Sequence, residues 1–303
     1  MEMGPTLNLF PMFKLACWNI RGMNPTSKQD EVKKLIRNSN CSVCCTVETR
    51  VLSKKLDKVC NYVFGNWYRA ANNSSCLGGT RIVVGWDPNE VICNVMHHTD
   101  QVMHSLIKQI NGNKRFFCSF IYASNNDTRR KKLWEELLTF RNIVNDSPWL
   151  VIGDFNVSLN PEDRCSCPSV VTSPMCAFRE CVNDIEIEDI NQSGLFYIWN
   201  QKPHATGPDV GVLKNIDRAM GNPGLVTHFP RVFAEFQPYG VSDHTPIVIS
   251  FPNMAKKKIK PYRFNNHLAE KPNFLPLIKD VWCEHVPGYT MFIVVTKLKK
   301  VKK

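Results

Sequence analysis

The sequence lacks the segments that direct a protein into or across a membrane. Residues 1–11 contain no basic stretch followed by an apolar one, so we expect no secretion signal. No apolar run approaches the roughly 18 residues that a membrane-spanning helix needs. We therefore expect a protein of the nucleus or the cytoplasm that has no membrane partner.

The sequence also lacks a regular cysteine pattern. Its 13 cysteines are odd in number and scattered, which favours reduced thiols over a disulfide framework. Two short pairs, Cys41 with Cys44 and Cys165 with Cys167, have zinc-like spacing. Neither is accompanied by a second pair at zinc-finger distance, so we expect no structural zinc site.

Acidic residues are too few to balance the basic ones. The 303 residues include 38 lysines and arginines against 27 acidic residues, which gives a net charge of +11. A basic surplus of this size favours an anionic partner, and nucleic acid is the first candidate. With 43% hydrophobic and 21% charged residues, most of the chain should be globular.

Apolar runs of strand length alternate with a few helical stretches between residues 12 and 251. We expect strands that include residues 62–68 and 195–199, and helices that include residues 127–144 and 174–187. This alternation predicts an α/β fold in which two sheets pack together with helices outside. The strand pattern begins at residue 12 and the composition changes near residue 253. We therefore predict an N-terminal extension (1–12), a folded domain (13–252) and a basic helical tail (253–303).

Polar side chains follow several of the expected strands. Asp154 and Asn156 come directly after the apolar run at residues 149–152, and residues i and i+2 of a strand share a face. An Asx-type turn at the strand end is the structural alternative. Similar strand-end positions hold Asn19, Glu48, Tyr122, Asp217, Asp243 and His244.

These residue types suit phosphodiester hydrolysis assisted by a metal ion. Mg²⁺ prefers a few hard oxygen ligands and keeps several waters. Glu48 and Asp243 supply carboxylates and Asn19 supplies an amide oxygen, so we predict that these three hold Mg²⁺, with Mn²⁺ as the alternative ion.

The other strand-end residues suit the remaining steps of the hydrolysis. Asp154 is placed to take a proton from the attacking water, and Asn156 to orient that water. Tyr122 and His244 are expected to stabilise the negative charge of the transition state. A carboxylate such as Asp217 would orient His244 and favour its protonated form.

Six short motifs, in this chain order, resemble those of the endonuclease/exonuclease/phosphatase superfamily: Trp18-Asn19, Val47-Glu48-Thr49, Ile121-Tyr122-Ala123, Gly153-Asp154-Phe155-Asn156, Ile216-Asp217-Arg218 and Ser242-Asp243-His244. The resemblance implies a DNase I-like four-layer α/β sandwich of two packed mixed sheets with helices outside. It also implies that eight residues occupy the active site, namely Asn19, Glu48, Tyr122, Asp154, Asn156, Asp217, Asp243 and His244.

Three stretches, at residues 47–51, 79–86 and 214–219, look like the apurinic-type endonuclease domain of plant LINE-type (non-LTR) retrotransposon proteins in particular. The tail at residues 261–299 looks like the linker that leads to a reverse transcriptase, which does not follow here. This resemblance implies a DNA partner, no obligate protein partner, and nicking that leaves a 3′-hydroxyl.

Two positions depart from related sequences. Arg21 stands where repair-type members often carry an acidic residue, which removes one metal ligand and adds a possible phosphate contact. Ile198 stands before Trp199 where related retroelement domains often carry threonine, so this side chain cannot donate a hydrogen bond to the substrate. The nucleic-acid contacts that we predict are Arg21, Arg50, Lys202 and Lys214.

Two other functions are compatible with the sequence. One is a different phosphoesterase of the same superfamily, acting on an inositol phosphate, a sphingolipid or a nucleotide. The other is a non-catalytic relic of a truncated element that binds nucleic acid. The basic charge favours DNA over the first, and the full set of expected catalytic side chains argues against the second.

Overall fold

Fifteen strands and seven α-helices make up the described part of the chain. The computed structural model describes residues 13–112, 114–165, 170–201, 212–252, 274–288 and 290–301. The strands, in chain order, are β1 (Phe13–Asn19), β2 (Val43–Val51), β3 (Tyr68–Ala71), β4 (Thr80–Trp86), β5 (Val91–His98), β6 (Val102–Gln109), β7 (Arg115–Tyr122), β8 (Trp149–Asp154), β9 (Glu188–Asp189), β10 (Gln192–Gly194), β11 (Trp199–Asn200), β12 (Leu213–Lys214), β13 (Asp217–Gly221), β14 (Phe233–Phe236) and β15 (Ile247–Phe251). The helices are α1 (Thr26–Ser39), α2 (Ser53–Phe64), α3 (Asp127–Val144), α4 (Ser173–Asp184), α5 (Pro223–His228), α6 (Phe274–Cys283) and α7 (Thr290–Val301).

The strands form two large mixed sheets and one small hairpin. The first large sheet has the order β10-β14-β15-β1-β2-β4-β3, and the second has the order β5-β6-β7-β8-β13-β9. The parallel pairs are β1 with β2 and β10 with β14 in the first sheet, and β7 with β8 in the second. The hairpin consists of β11 and β12.

The main core lies between the two large sheets, and alternation along the strands builds it. In β1, Leu15 and Cys17 face this core, whereas Ala16 and Trp18 face a second cluster that includes buried residues of α1 and α2. On the far side, α3 and α4 pack on β7 and β8 around a third cluster. Helix, sheet, sheet and helix therefore form four layers, which confirms the predicted fold class.

The chain divides into two compact units, residues 1–253 and 254–303. In the second unit, Lys297 on α7 lies 6.0 Å from the ring centroid of Trp282 on α6. No helix within the described ranges is both long and apolar enough to cross a membrane.

Some predicted elements were wrong. Of the strand expected at residues 62–68, residues 62–64 end α2, residues 65–67 lie between elements, and only Tyr68 begins a strand. The helix extends to Phe64 because Val59, Cys60, Val63 and Phe64 continue one buried helical face. The helix expected at 174–187 ends at Asp184. Of residues 195–199, only the last belongs to a strand.

One helix, α5, was missed although its start signal is present. The Asn222 side chain accepts a hydrogen bond from the Leu225 backbone N–H at 2.9 Å, and Pro223 begins the helix. Asparagine followed by proline is a common combination at a helix N-terminus. The short length of the helix hid its apolar periodicity.

A buried histidine lies between β6 and α3. The ring of His104 stacks on Phe140 with centroids 3.8 Å apart, and its Nδ1 lies 2.7 Å from the Ser119 hydroxyl. Its Nε2 has no hydrogen-bond partner and faces Glu136 at 3.9 Å, close to His97. Burial, and to a smaller extent His97, lower the pKa of His104 to about 3.

By itself, His104 therefore makes the fold less stable in mild acid, whereas Asp154, whose pKa burial raises to about 7, contributes the opposite change between pH 7 and 3.8. Between pH 6.5 and about 3 the unfolded chain binds a proton at His104 that the folded chain excludes. The stability is complete above pH 6.5, and the free energy of unfolding then falls by about 1.4 kcal/mol per pH unit through this group. Urea unfolding of the wild type and of His104→Leu between pH 7.5 and 5 measures the difference in slope.

His228→Leu serves as the control because His228 is exposed on α5. This variant should keep the wild-type slope. In His104→Leu the slope of the free energy of unfolding against pH should be lower than in the wild type by about 1.4 kcal/mol per pH unit. An unchanged slope in His104→Leu would assign the acid sensitivity to other groups.

Candidate active site

Strand register brings polar residues of distant sequence to one edge of the second sheet. Tyr122 ends β7, Asp154 ends β8, and Asp217 begins β13. Asp154 is the register partner of both others, because β7 runs parallel to β8 and β13 runs antiparallel to it. In the first sheet Asn19 ends β1 and its register partner Val47 precedes Glu48. The chain therefore assembles these strand-end positions through backbone pairing.

A buried polar chain links the two sheets at this edge. The Asn19 Nδ2 donates to Asp154 Oδ2 at 2.8 Å, and the His244 Nδ1 lies 2.7 Å from Asp217 Oδ2. The Asn19 Nδ2 also lies 3.4 Å from the His244 Nε2. One ligand-type atom from each of Asp154, Asp217 and His244 lies within 4.8 Å of the others. Four of the predicted site residues thus touch one another.

The protonation states of this chain are set by burial and by mutual charge. Burial is the largest influence on His244 and lowers its pKa, but Asp217, Asp154 and Asp243 together outweigh it and raise the pKa to about 9. Burial and then the charge of Asp217 raise the pKa of Asp154 to about 7. Near neutral pH the site therefore holds a protonated imidazole beside a carboxylate that readily accepts a proton.

The protonated form of His244 leaves one donor free. Its Nδ1–H donates to Asp217, and its Nε2–H faces the Asn19 amide nitrogen, which is itself a donor. Two donors do not form a hydrogen bond with each other. The Nε2–H of His244 is therefore available for an incoming anionic oxygen.

The turn that carries His244 is tied to the end of β1. The Ser242 hydroxyl donates to the Asn19 carbonyl at 2.7 Å, and the Trp18 Nε1 donates to the His244 carbonyl at 2.9 Å. Both contacts are buried. These contacts between residues more than 220 positions apart hold the histidine opposite Asp154.

Asn156 supports the strand end rather than pointing freely into the site. Its backbone N–H donates to Asp154 Oδ1 at 2.8 Å, which is the Asx-type turn that the sequence also allowed. Its φ of 51° lies in the left-handed region that asparagine tolerates. Its side-chain Nδ2 donates to the Ala123 carbonyl at 2.8 Å. This anchoring leaves the amide oxygen as the group that Asn156 offers to a ligand.

Glu48 and Asp243 each pair with an arginine. Glu48 lies in a bulge of β2, where the register with β4 shifts and both Glu48 and Arg50 have positive φ. An ion pair joins Arg50 to Glu48, and another joins Arg21 to Asp243. Both carboxylates are largely buried, whereas both arginine side chains are more than half exposed.

This donor set has the chemistry that a divalent cation prefers, although the titratable groups whose possible ligand atoms lie within 4.8 Å of one another are Asp154, Asp217 and His244. Two carboxylates and the Asn19 amide oxygen are the hard oxygen ligands that Mg²⁺ prefers. The Asn19 oxygen accepts one hydrogen bond, from the Arg21 backbone N–H at 2.9 Å, and keeps a second lone pair. The guanidinium groups now supply the positive charge beside the carboxylates, and their exposed side chains are free to move aside.

Tyr122 lies near two carboxylates of the site, Glu48 and Asp154. Burial, followed by the charges of Glu48 and Asp154, raises the pKa of its phenol. The phenol therefore stays protonated and remains a hydrogen-bond donor at neutral pH.

A groove runs across the site and is lined by cations. It consists of two adjoining depressions that share Glu48, Arg50 and Asn125. The basic side chains that line it are Arg21, Arg50, Arg81, Arg164 and Lys214. Three of these were predicted, and Lys202 lies outside the described residues. Arg81 and Arg164 were missed, because a single arginine in a strand or loop carries no local signal of its neighbours.

Another missed feature is a buried ion-pair network behind the site. Arg218 pairs with Asp163 and with Asp189, and both Arg218 and Asp163 are almost fully buried. Asp163 also accepts hydrogen bonds from the backbone N–H groups of Leu159 and Asn160 at 2.9 and 2.7 Å. The network joins the loop after β8 to β13 and so fixes Asp217 relative to Asp154.

Trp199 and its neighbour Ile198 differ in their access to the site. Trp199 lines the groove, donates from Nε1 to Asp243 Oδ2 at 3.1 Å, and lies 5.0 Å beneath the Lys214 ammonium. Ile198 is fully buried in the core between the sheets. Its side chain therefore packs the interior and does not contact a substrate.

Sequence comparison shows that most of this chain matches a known protein family. Residues 16–244 match the model of the Endonuclease/Exonuclease/phosphatase family. The match includes all eight predicted active-site residues. No curated protein matches the chain significantly.

Several solved structures share the fold at low sequence identity. The endonuclease domain of TRAS1, a telomere-specific non-LTR retrotransposon, is 8% identical with a TM-score of 0.60, over 80% of this chain and 98% of that one. An AP endonuclease from Archaeoglobus fulgidus is 16% identical with a TM-score of 0.57, over 79% and 99%. The AP endonuclease LMAP from Leishmania major is 14% identical with a TM-score of 0.60, over 80% and 88%.

Proposed function

Because this chain belongs to the endonuclease/exonuclease/phosphatase family, we propose that it is a Mg²⁺-dependent endonuclease that hydrolyses a phosphodiester of DNA. The observation that carries the proposal is the buried chain of Asn19, Asp154, Asp217 and His244, whose last member lines a groove that also holds five basic side chains. A base, an imidazolium and phosphate-binding side chains are therefore close together. Each of them can contribute to the hydrolysis of a phosphate diester.

Asp154 is the base in this proposal. Its carboxylate takes a proton from water, the water oxygen forms a bond to phosphorus, and the bond from phosphorus to the 3′ oxygen breaks. The departing 3′ oxygen takes up a proton from solvent water, so a 3′-hydroxyl and a 5′-phosphate result. The Asn19 amide keeps the Asp154 carboxylate oriented. The amide oxygen of Asn156 orients the attacking water.

His244 and Tyr122 act on the charge that develops at the phosphate. The free Nε2–H of His244 donates to a non-bridging phosphate oxygen, and Asp217 holds the ring in that orientation. The Tyr122 phenol donates from the neighbouring strand end. Both donors are in place before the reaction, which is the condition under which such stabilisation is strongest.

Glu48, Asp243 and the Asn19 amide oxygen would hold the Mg²⁺, with Mn²⁺ as the alternative. When bound, such an ion adds positive charge at the phosphate and favours the departing oxygen. Arg21 and Arg50, which now pair with the two carboxylates, would then be available for the phosphates of the backbone.

DNA is the substrate that the groove favours. Five basic side chains line it, and phosphate contacts from lysine and arginine supply most of the affinity for nucleic acid. The proposed origin is a LINE-type retrotransposon, which rests on the motifs at residues 47–51, 79–86 and 214–219. In this proposal residues 13–252 are the nuclease domain, and residues 253–303 correspond to the linker before a reverse transcriptase.

A plasmid assay tests the proposal. The purified chain is incubated with supercoiled plasmid and Mg²⁺, with and without EDTA, and the nicked DNA is offered to a DNA polymerase without phosphatase treatment. We expect EDTA-sensitive nicking whose products are extended directly, because the ends carry a 3′-hydroxyl. Absence of nicking together with hydrolysis of a phosphoinositide would instead identify another phosphoesterase of the family.

A further inference from the structure

A cavity lies at the end of the second sheet that is opposite to the active site. Arg115, at the start of β7, and Pro148, directly before β8, both line it, whereas Tyr122 and Asp154 end these two strands. The eight residues of β7, at about 3.3 Å each, separate the two ends by roughly 23 Å. The volume of this distal cavity is about 560 Å³, against about 250 and 410 Å³ for the two depressions of the groove. No residue that the structure describes lines both, so the distal cavity is not part of the catalytic groove.

Three cations without carboxylate partners stand at this end of the sheet. Lys114 and Arg115 line the distal cavity, and Lys108 is the register partner of Arg115 on β6. None of the three forms an ion pair within the described part of the chain. Arg21 and Arg50 of the catalytic groove, by contrast, each pair with a carboxylate. Like charges directly opposite each other on neighbouring strands destabilise a sheet, and a bound anion would offset that repulsion.

Aromatic rings form another wall of the distal cavity. Phe116, Phe117 and Phe229 line it, and the Lys114 ammonium lies 5.2 Å from the ring centroid of Phe229. Phe117 is only half-buried, so part of its side chain is accessible to a ligand. Nucleobases pack on aromatic side chains and on cations. Asp146 also lines the cavity and can accept a hydrogen bond from a sugar hydroxyl or from an amino group of a base.

We propose that the distal cavity binds a nucleoside phosphate, whose base packs against the phenylalanine rings and whose phosphate pairs with Lys114 and Arg115. Its volume lies within the range of about 300–1,000 Å³ that is usual for small-ligand pockets. A free nucleotide and the phosphorylated end of a nucleic-acid strand share this chemistry. The ligand is bound and not hydrolysed, because Asp154 lies at the opposite end of β8. Binding there does not depend on the proposed nuclease function.

Isothermal titration calorimetry in EDTA tests the site, with AMP, adenosine and inorganic phosphate as probes. We expect AMP to bind at least about tenfold more tightly than adenosine or phosphate alone, because only AMP engages both the rings and the cations. Lys114→Met and Arg115→Met should each raise the Kd for AMP on the order of tenfold, because each removes a charged partner of the phosphate. Saturating AMP should raise the Tm of the wild type and not that of the double variant.

Two control variants locate the binding. Lys132→Met removes an exposed lysine of α3 that lines neither the distal cavity nor the groove, and it should keep the wild-type Kd for AMP. Lys214→Met removes a cation of the catalytic groove and should also keep that Kd. Loss of AMP binding in Lys214→Met, with none in Lys114→Met, would place the nucleotide in the groove and refute the distal site. The Tm of each variant without ligand shows whether it has folded.

Short DNA strands with and without a 5′-phosphate distinguish the two sources of the ligand. Tighter binding of the phosphorylated strand than of AMP, lost in the double variant of Lys114 and Arg115, identifies a strand end, whereas tighter binding of AMP identifies a free nucleotide. The proposal is overturned if neither probe binds, if inorganic phosphate binds as tightly as AMP, or if the cavity variants keep the wild-type Kd. These results are independent of plasmid nicking, so either proposal can fail while the other stands.

Discussion

Asp154→Asn should lower the rate of plasmid nicking on the order of 10²- to 10⁴-fold, because an amide cannot take the proton of the attacking water. The fold should survive the change. Asp154 is 1% exposed, and burial raises its pKa to about 7, so its ionised form costs stability. The amide has one oxygen and keeps only one of the two hydrogen bonds that the carboxylate accepts, from Asn19 and Asn156, which offsets this gain. We therefore expect a Tm close to that of the wild type, measured by calorimetry beside the nicking rate.

Three companion variants make this result specific. Asp184→Asn removes an exposed carboxylate of α4 and should leave both rate and Tm unchanged. His244→Gln should lower the rate by about 10²- to 10³-fold through loss of a preorganised donor. The double variant should lose much less than the product of the two single losses, because groups that act as a unit are not additive. An Asp154→Asn protein that nicks at the wild-type rate would remove Asp154 from the role of base.

Gly153→Ala should cost about 4 kcal/mol or more of the free energy of unfolding, which is in the range of severe single substitutions. Gly153 has a φ of 136°, which side chains with a Cβ rarely adopt. A Cβ built there would lie 2.1 Å from the carbonyl oxygen of its register partner Ile121. Backbone atoms cannot rotate away, so the pairing of β7 with β8 must open directly beside Asp154.

Urea unfolding at pH 7.5 measures this effect, with Gly112→Ala as the matched control. A Cβ on Gly112 would first meet the flexible side-chain end of Gln109, at 3.3 Å, and we expect a change below about 1 kcal/mol. A Gly153→Ala protein within 1 kcal/mol of the wild type would show that the sheet accommodates the clash. Loss of nicking with retained stability would instead locate the effect in the position of Asp154.

The sequence alone predicted most of the helices and strands, because the apolar patterns that indicate them span only a few neighbouring residues. The apolar periodicity of residues 127–144 predicted α3 with its observed ends. The strand expected at 62–68 was wrong because aromatic and β-branched residues suit both a strand and a buried helical face. Val63 and Phe64 pack into the core, and this packing favours the helix over the strand.

For the candidate site too, the sequence alone predicted some features, and others follow only from the tertiary structure. By itself the sequence predicted that Asn19, Tyr122 and Asp154 end strands, although Glu48 lies in a bulge within β2. Its six motifs resembled one superfamily, to which residues 16–244 belong. Those signals lie within a few neighbouring residues, because strand alternation and turn chemistry act over that range.

Only the tertiary structure decided which atoms meet. The hydrogen bond between Asn19 and Asp154 joins residues 135 positions apart, and Arg218 reaches Asp163 across 55. The closeness of Gly153 to Ile121 depends on strands from separate parts of the chain. A charged residue or a glycine looks the same in the sequence wherever it lies. Its neighbours are decided only when the two sheets pack together.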